Sequence, residues 1–178
     1  MMANIATATF AGGCFWCIDA AFRRVKGVHK VESGYMGGQT DDPTYKDICT
    51  GMTGHAEVVQ LSFDADVISY SQLLDMFFTL HDPTQLNRQG NDVGTQYRSA
   101  VFYHDDAQAE LTEQAIKQLQ PHLAEKIVTE VTPAVTFYSA EQYHQDYFNE
   151  NPNQGYCSVV VAPKVAKFSQ KYAHLLDE

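Results

Sequence analysis

The sequence contains little cysteine, proline or tryptophan. In 178 residues there are four cysteines, six prolines and one tryptophan. Four unevenly spaced cysteines are too few to hold a domain of this size together as a disulfide framework. We therefore expect the thiols to be catalytic groups, metal ligands or packing residues in a reducing compartment.

Basic residues and long apolar runs are also scarce. The chain has 12 Lys and Arg against 22 Asp and Glu, which gives a net charge of −10. An acidic surface repels nucleic acids and anionic membranes. No run approaches about 20 consecutive apolar residues, and the amino-terminal residues lack the basic and apolar regions of a secretory signal. We predict a cytoplasmic protein with neither nucleic acid nor membrane as a partner.

The chain has enough apolar residues to build a real core. Hydrophobic residues make up 44% of it, and no linker or repeat divides it, so we predict a single domain over residues 1–178. Strand and helix patterns alternate without the regular spacing of a doubly wound fold. We predict an α+β fold, a two-layer α/β plait with a mixed, largely antiparallel sheet and helices packed on it. Residues 105–126 and 141–149 have helical patterns, and residues 127–138 have an extended one.

The segment around Cys14 carries most of the chemical information. A strand pattern, two glycines and a helical pattern follow one another here, and Cys14 starts the helix. A thiol in the first turn of a helix is close to unpaired N–H groups and to the positive end of the helix dipole, which both favour the thiolate. Phe15 and Trp16 would place an aromatic wall beside the sulfur, where a small apolar group such as a methyl fits.

The C-x-x-C pair formed by Cys14 and Cys17 leaves three alternatives open. A thioredoxin-like redox pair would also start a helix, but within a βαβ unit that the pattern lacks. A zinc site would need a second pair, whereas Cys49 and Cys157 are isolated. Cys14 could also be a buried structural residue whose aromatic neighbours belong to the core.

Glu57 is the candidate proton carrier. The segment 55–63 alternates, so Glu57 shares one strand face with Val59, Leu61 and Phe63. A carboxyl at the head of an apolar strand face is partly desolvated, which raises its pKa and lets it carry a proton near neutral pH. The alternative is a strand-end glutamate in water.

Polar and phenolic side chains gather in two irregular stretches, 38–54 and 82–97. Ordered loops of this length in a compact domain are often functional. Their candidate residues are Tyr45, Asp47, Arg88, Gln89, Asn91, Asp92, Tyr97 and Arg98.

Several longer motifs resemble, in the same order, those of the peptide methionine sulfoxide reductases of the A class. The similarity extends over roughly residues 8–162, nearly the whole chain. The motifs are Gly13-Cys14-Phe15-Trp16, Gly34-Tyr35-Met36-Gly37-Gly38, Thr53-Gly54-His55-Ala56-Glu57, His81-Asp82-Pro83-Thr84, the segment from Arg88 to Ser99, and Gln142-Tyr143-His144-Gln145-Asp146-Tyr147.

The resemblance implies an enzyme that reduces methionine S-sulfoxide, free or in proteins. Cys14 is then the nucleophile that attacks the sulfoxide sulfur, and Glu57 protonates the oxygen, since oxide is a poor leaving group. Phe15 and Trp16 form the pocket for the substrate methyl.

Three further residues match polar groups of that family. Tyr45 and Tyr97 match the phenols that hydrogen-bond the sulfoxide oxygen. Asp92 matches a carboxylate that helps to hold the active-site water and polar network.

The same resemblance implies that Cys14 becomes a sulfenic acid, which a second thiol converts to a disulfide and thioredoxin then reduces. Cys157, in a flexible C-terminal tail, matches the usual place of this resolving thiol. Cys17 is the alternative, although it lies one turn from Cys14 on the same helix, which would have to fray. Cys49 matches a position without a catalytic part, and we expect it to be structural.

We therefore expect a cytoplasmic monomer that needs no metal and no organic cofactor. Two other functions are weighed against this one. The first is a general thiol–disulfide oxidoreductase that uses Cys14 and Cys17. The second is a redox-sensing or zinc-binding module.

Overall fold

The computed structural model describes residues 4–177. In chain order its main elements are β1 (Ile5–Ala11), α1 (Phe15–Phe22), β2 (Val28–Met36), α2 (Tyr45–Cys49), β3 (Ala56–Asp64), α3 (Tyr70–Leu80), β4 (Arg88–Gln89), β5 (Asp92–Val93), β6 (Ala100–Tyr103), α4 (Asp106–Leu119), β7 (Glu130–Pro133), β8 (Tyr138–Ser139), α5 (Tyr147–Glu150) and α6 (Ala162–Lys171). Short 3-10 turns occupy Thr95–Tyr97, Gln120–His122, Gln142–His144 and Ala173–Leu175, and a π-helix spans Cys157–Val161.

One mixed sheet organises the described residues. Six strands lie side by side in the order β7-β6-β1-β3-β2-β8, while β4 and β5 form a separate small hairpin. The pair β6 and β7 is parallel, and the other neighbours in the large sheet are antiparallel. With helices packed on this sheet, the prediction of an α+β fold with a largely antiparallel sheet is confirmed.

The main core lies between the sheet and helices α1, α3 and α6. The ring of Phe10 on β1 stacks against Phe22 at 5.7 Å and against Phe77 at 4.9 Å. Val59 and Leu61 of β3 are fully buried in the same core. Burying an aromatic or aliphatic side chain of this size contributes roughly 1.5–3 kcal/mol. The face of β3 that carries Glu57 is therefore the inner one, as the alternation predicted.

Three predicted elements differ in extent from those in the structure. The helix expected over 105–126 ends at Leu119 and passes into the 3-10 turn Gln120–His122, because Pro121 has no N–H to continue the helical hydrogen bonds. In 127–138 only the two short strands β7 and β8 form. The helix expected over 141–149 is split into a 3-10 turn and α5, because Asp146 between them has a left-handed backbone with φ 56°.

The segment that carries Cys157 is helical in this structure. Cys157 begins the π-helix, which runs directly into α6, and its side chain is fully buried. The sequence places it in a flexible tail, and the flexibility of this segment stays a prediction. None of the helices in the described part of the chain combines the length and the apolar character needed to cross a membrane.

The turn between β1 and α1 rests on a buried histidine. His81 follows α3, and its ring packs so closely on Gly12 that a Cβ there would lie 2.9 Å from His81 Cγ. Its Nδ1 is 2.7 Å from the Phe77 carbonyl oxygen, which only accepts, so Nδ1 carries the proton and Nε2 accepts from Ser99 Oγ at 2.7 Å. Burial lowers the pKa of His81 to about 4.

We expect His81 to make the fold less stable in acid. Its folded pKa of about 4 is below the ordinary value of 6.5, so between these pH values the unfolded chain binds a proton that the folded chain excludes. The free energy of unfolding should therefore fall as the pH drops from about 6.5 to about 4, by about 1 kcal/mol per pH unit from this group. Urea titrations of His81→Gln should show a shallower loss than the parent, whereas His29→Gln at an exposed position should match the parent. Equal slopes for all three proteins would contradict this account.

Candidate active site

Cys14 lies where the first strand gives way to the first helix. It is the N-cap of α1, with an extended backbone (φ −65°, ψ 127°). Gly13 before it has φ +83°, and a Cβ at that position would meet Gln89 Cγ at 2.8 Å. The Gly13 N–H also donates to the Tyr97 carbonyl oxygen at 3.2 Å. Glycine is thus required here for both the left-handed turn and the close approach to the protein's own side chain.

Glu57 reaches the same place from the neighbouring strand. It lies on β3, which pairs with β1, and only 1% of its surface is exposed. One carboxylate oxygen accepts the Phe15 N–H at 3.1 Å, directly after Cys14 in the chain. Burial raises the pKa of Glu57 to about 8, although the Phe15 N–H opposes the shift. The elevated pKa agrees with the expectation from the strand pattern.

The electrostatics of Cys14 differ from the expectation. A helix start was expected to favour the thiolate, but burial raises the pKa of Cys14 well above its ordinary value, and a charged Glu57 raises it further. The Trp16 backbone N–H lowers the pKa, yet it does not offset the desolvation. The resting side chain is therefore a neutral thiol at physiological pH.

The expected aromatic wall is present beside Cys14. Phe15 is fully buried, and its ring packs on Tyr35 at 5.8 Å. Trp16 is only half-buried, and Tyr147 stacks on it with ring centroids 3.9 Å apart. The uncovered part of the indole is available for contact with an apolar group.

The three polar candidates from the loops also lie at this site. Burial, followed by the charge of Glu57, raises the pKa of both Tyr45 and Tyr97, so their hydroxyls share a region with Glu57. Asp92 is half-buried, accepts a hydrogen bond from the Tyr156 hydroxyl at 2.5 Å and contributes to the raised pKa of Glu57. The structure thus brings Tyr45, Tyr97 and Asp92 to the carboxyl that faces Cys14.

His144 also lies at the site, although no chemical pattern in the sequence points to it. It is 1% exposed, its ring lies 4.3 Å from that of Tyr45, and its Nδ1 accepts the Trp16 indole N–H at 3.0 Å. Burial lowers the pKa of His144, so the ring is neutral and its proton lies on Nε2. That Nε2 is buried and has no hydrogen-bond partner among residues 4–177. The only signal for it in the sequence was its place in one of the family motifs.

The four cysteines are free thiols in three different environments. Cys14 is half-buried, Cys17 and Cys157 are buried in one apolar cluster, and Cys49 is exposed. Cys49 lies at the end of α2 next to the Tyr45 side chain, and its structural role stays a prediction.

Together these groups define the site of a thiol-based oxidoreductase. A nucleophilic sulfur, a carboxyl that holds a proton at neutral pH and two phenols meet beside an aromatic wall. Among residues 4–177, no three His, Cys, Asp or Glu side chains are grouped so that they could hold a metal ion.

Comparison with known proteins specifies the class further. The family model of the peptide methionine sulfoxide reductases matches residues 6–176. A Pasteurella multocida protein named peptide methionine sulfoxide reductase MsrA is 58% identical over 168 residues, covering 94% of this chain and 97% of the relative. The chain belongs to the peptide methionine sulfoxide reductase family, and the resemblance seen in its motifs is confirmed.

Solved structures of the family share this fold. Reduced Mxr1 from Saccharomyces cerevisiae superposes with a TM-score of 0.80 at 39% identity, covering 86% of this chain and 90% of that one. The same yeast protein in complex with Trx2 gives a TM-score of 0.57 at 28% identity, covering 81% and 85%.

Removal of the Glu57 charge should stabilise the fold in mild alkali. Its folded pKa of about 8 exceeds the ordinary 4.5, so between these values the folded state holds a proton that the unfolded state releases, and stability falls as the pH rises. Glu57→Gln keeps an acceptor for the Phe15 N–H but cannot ionise. Its free energy of unfolding should match the parent near pH 4.5 and exceed it increasingly up to pH 8. Glu110→Gln on the exposed face of α4 is the control, and a constant difference between Glu57→Gln and the parent would contradict the raised pKa.

Proposed function

We propose that Cys14 attacks the sulfur of methionine S-sulfoxide, free or in proteins, while Glu57 protonates the oxygen. The observation that carries this proposal is the hydrogen bond from the Phe15 N–H to Glu57. It holds a carboxyl that stays protonated near neutral pH next to the thiol. A general acid with such a pKa gives its proton most effectively at physiological pH.

The reaction balances without a metal or an organic cofactor. Glu57 gives its proton to the sulfoxide oxygen as a bond forms between that oxygen-bearing sulfur and Cys14. The thiol proton of Cys14 returns to Glu57, the oxygen ends on Cys14 as a sulfenic acid, and methionine leaves reduced by two electrons. Because the neutral thiol ionises only as the proton moves, the raised pKa of Cys14 is compatible with this exchange.

The surrounding groups would fix the orientation of the substrate. The methyl packs on the uncovered part of Trp16, which the fully buried Phe15 supports from the core, and the phenols of Tyr45 and Tyr97 donate to the oxygen. A chiral sulfur that is held through its methyl, its oxygen and its side chain can bind as only one epimer. By the family resemblance this is the S epimer. Asp92 keeps the polar side of the site ordered through Tyr156.

His144 would hold Trp16 in position from inside the protein. Its Nε2–H has no acceptor among the described residues, and an unpaired buried donor costs about 1–3 kcal/mol. The hydrogen bond from the Trp16 indole fixes the tautomer of His144, and it joins the aromatic wall to this buried polar side chain.

The sulfenic acid would be resolved by Cys157 or Cys17, and the disulfide would be reduced by thioredoxin. The yeast relative solved in complex with Trx2 supports a thioredoxin-type reductant. We further propose that the protein is a cytoplasmic monomer that does not bind nucleic acid or membrane, which its net charge of −10 supports.

The two sulfoxide epimers test the assignment directly. With dithiothreitol as the reductant, the parent should reduce the S epimer of a methionine sulfoxide peptide and leave the R epimer untouched. Cys14→Ser should lose the activity, because the nucleophilic sulfur is removed, whereas Ser71→Ala at an exposed position of α3 should retain it. The proposal would be contradicted if the parent reduced neither epimer. It would also be contradicted if Cys14→Ser kept full activity.

The pH dependence tests the role of Glu57. The rate with the S epimer should fall as the pH rises through about 8, since Glu57 then loses the proton that it must donate. Glu57→Gln should be slower by about 10²-fold or more, with no alkaline decline due to this group. A Glu57→Gln enzyme with the rate and the pH profile of the parent would remove Glu57 from the mechanism.

A further inference from the structure

Glu141 is a charged side chain beside the site that the proposed reaction does not use. It lies just beyond β8, where the Ala140 N–H donates to the Ser33 carbonyl oxygen at 2.9 Å. The amide of Gln145 fixes the same segment, because it accepts the Ser33 N–H at 2.8 Å and donates to the Ser33 carbonyl oxygen at 2.9 Å. The backbone of β2 therefore sets the position of Glu141.

The carboxylate of Glu141 joins two tyrosines. One oxygen accepts the Tyr35 hydroxyl at 3.0 Å, and the other accepts the Tyr45 backbone N–H at 2.9 Å. Tyr45 is the first residue of α2, so its N–H has no partner within the helix. Burial opposes ionisation of Glu141, but its hydrogen bonds, first that of the Tyr45 N–H, outweigh burial and lower its pKa. Glu141 is therefore charged at neutral pH, and both hydrogen bonds are of the stronger, charge-assisted kind.

Tyr35 connects this carboxylate to the general acid. It lies directly opposite Glu57 in the antiparallel pair of β2 and β3. Residues in this relation project from the same face of a sheet, with Cβ atoms about 4.5–5.5 Å apart. Tyr35 is fully buried, and its ring packs on Phe15. Its hydroxyl therefore has a fixed place relative to both the acid and the aromatic wall.

Tyr45, in contrast, lies on an element with little packing of its own. Helix α2 has five residues, of which Ile48 alone is buried, and its capping box between Thr44 and Asp47 is internal to the helix. A helix this short depends on tertiary contacts for its stability and its orientation. The hydrogen bond from the Tyr45 N–H to Glu141 supplies such a contact, to a residue 96 positions later in the chain.

We propose that Glu141 is a positioning residue, which holds Tyr45 where its hydroxyl and the Glu57 carboxyl reach the same sulfoxide oxygen. This inference rests on the proposed function and deepens it. Glu141 acts through the Tyr45 backbone and does not itself meet the reacting atoms. Negative charge develops on the oxygen as its bond to sulfur breaks, so a misplaced donor weakens the transition state more than the bound substrate.

The first turnover without reductant is the measurement that tests this role, because it excludes the later reduction of the enzyme. Glu141→Ala removes both acceptors. It should lower the rate constant at saturating methionine S-sulfoxide by about tenfold and change the half-saturating concentration by less than about twofold. Glu113→Ala at an exposed position of α4 is the control and should match the parent. An unchanged rate constant in Glu141→Ala, or a change in the half-saturating concentration alone, would overturn the inference.

A double-mutant cycle separates positioning from a general effect on the fold. If Glu141 acts through Tyr45, then Glu141→Ala should cost less than about twofold in a Tyr45→Phe enzyme, which has no hydroxyl to misplace. It should still cost about tenfold in a Tyr97→Phe enzyme, because Tyr97 lies in a separate turn that is joined to Gly13. The same loss in both backgrounds would mean that Glu141 merely supports the fold, and the inference would be wrong.

Two milder substitutions repeat the test with less risk to folding. Glu141→Gln keeps an oxygen for the Tyr45 N–H, and its amide can donate to the Tyr35 hydroxyl oxygen, so its rate should lie within about threefold of the parent. A Glu141→Gln enzyme as slow as Glu141→Ala would contradict a role based on these hydrogen bonds. Tyr35→Phe keeps the ring on Phe15 but releases Glu141, and its loss of rate should likewise disappear in the Tyr45→Phe background.

The pH profile provides a further check. The rate of Glu141→Ala should still fall as the pH rises through about 8, because burial of Glu57 is the main cause of that pKa and is unchanged. A shifted decline would show that Glu141 acts through the charge of Glu57 and not through Tyr45, which would overturn the inference.

The same set of variants distinguishes failure of the inference from failure of the proposed function. If the parent forms no methionine, or if Tyr45→Phe is as fast as the parent, the proposed reaction or the role of Tyr45 is wrong, and the inference fails with it. If the parent is active and Tyr45→Phe is slow, but Glu141→Ala costs the same in both backgrounds, the proposed function stands and the role of Glu141 alone is refuted.

Discussion

The hydrogen bond between the Phe15 N–H and the buried Glu57 carboxyl is the contact on which the site depends. It exists because β1 and β3 are neighbours in the sheet and because α1 begins immediately after β1. Burial gives this carboxyl its proton at neutral pH, and the backbone donor fixes its direction. The same burial makes the ionised form of Glu57 unfavourable. Above pH 4.5 the fold is therefore less stable with this carboxyl than it would be with a neutral side chain.

The sequence predicts what depends on local pattern. The alternation of β3 places Glu57 on the inner face, and the glycines before Cys14 mark the start of a helix, so both main catalytic candidates could be found from neighbouring residues. The protonation state of Cys14 was not predictable, because its desolvation depends on how it packs against the folded core. The tautomer of His144 was not predictable either, because it is fixed by a hydrogen bond from Trp16, which lies 128 residues away in the chain.

The last third of the chain completes the site that the first third begins. Tyr147 covers the Trp16 ring, Tyr156 holds Asp92, and Cys157 packs against Cys17. A general disulfide oxidoreductase would need its second cysteine within reach of protein disulfides, but Cys17 is buried beneath these residues. The buried position of Cys17 therefore argues against direct exchange with foreign disulfides.

The neutral thiol of the resting site also matters for the survival of the enzyme. Peroxides oxidise thiolates far faster than thiols, and over-oxidation beyond the sulfenic acid is irreversible for most cysteines. A protein that repairs oxidised methionine works where peroxide is abundant. Because desolvation keeps Cys14 protonated until a sulfoxide arrives beside Glu57, the nucleophile is exposed to its substrate but shielded from the oxidant that made that substrate.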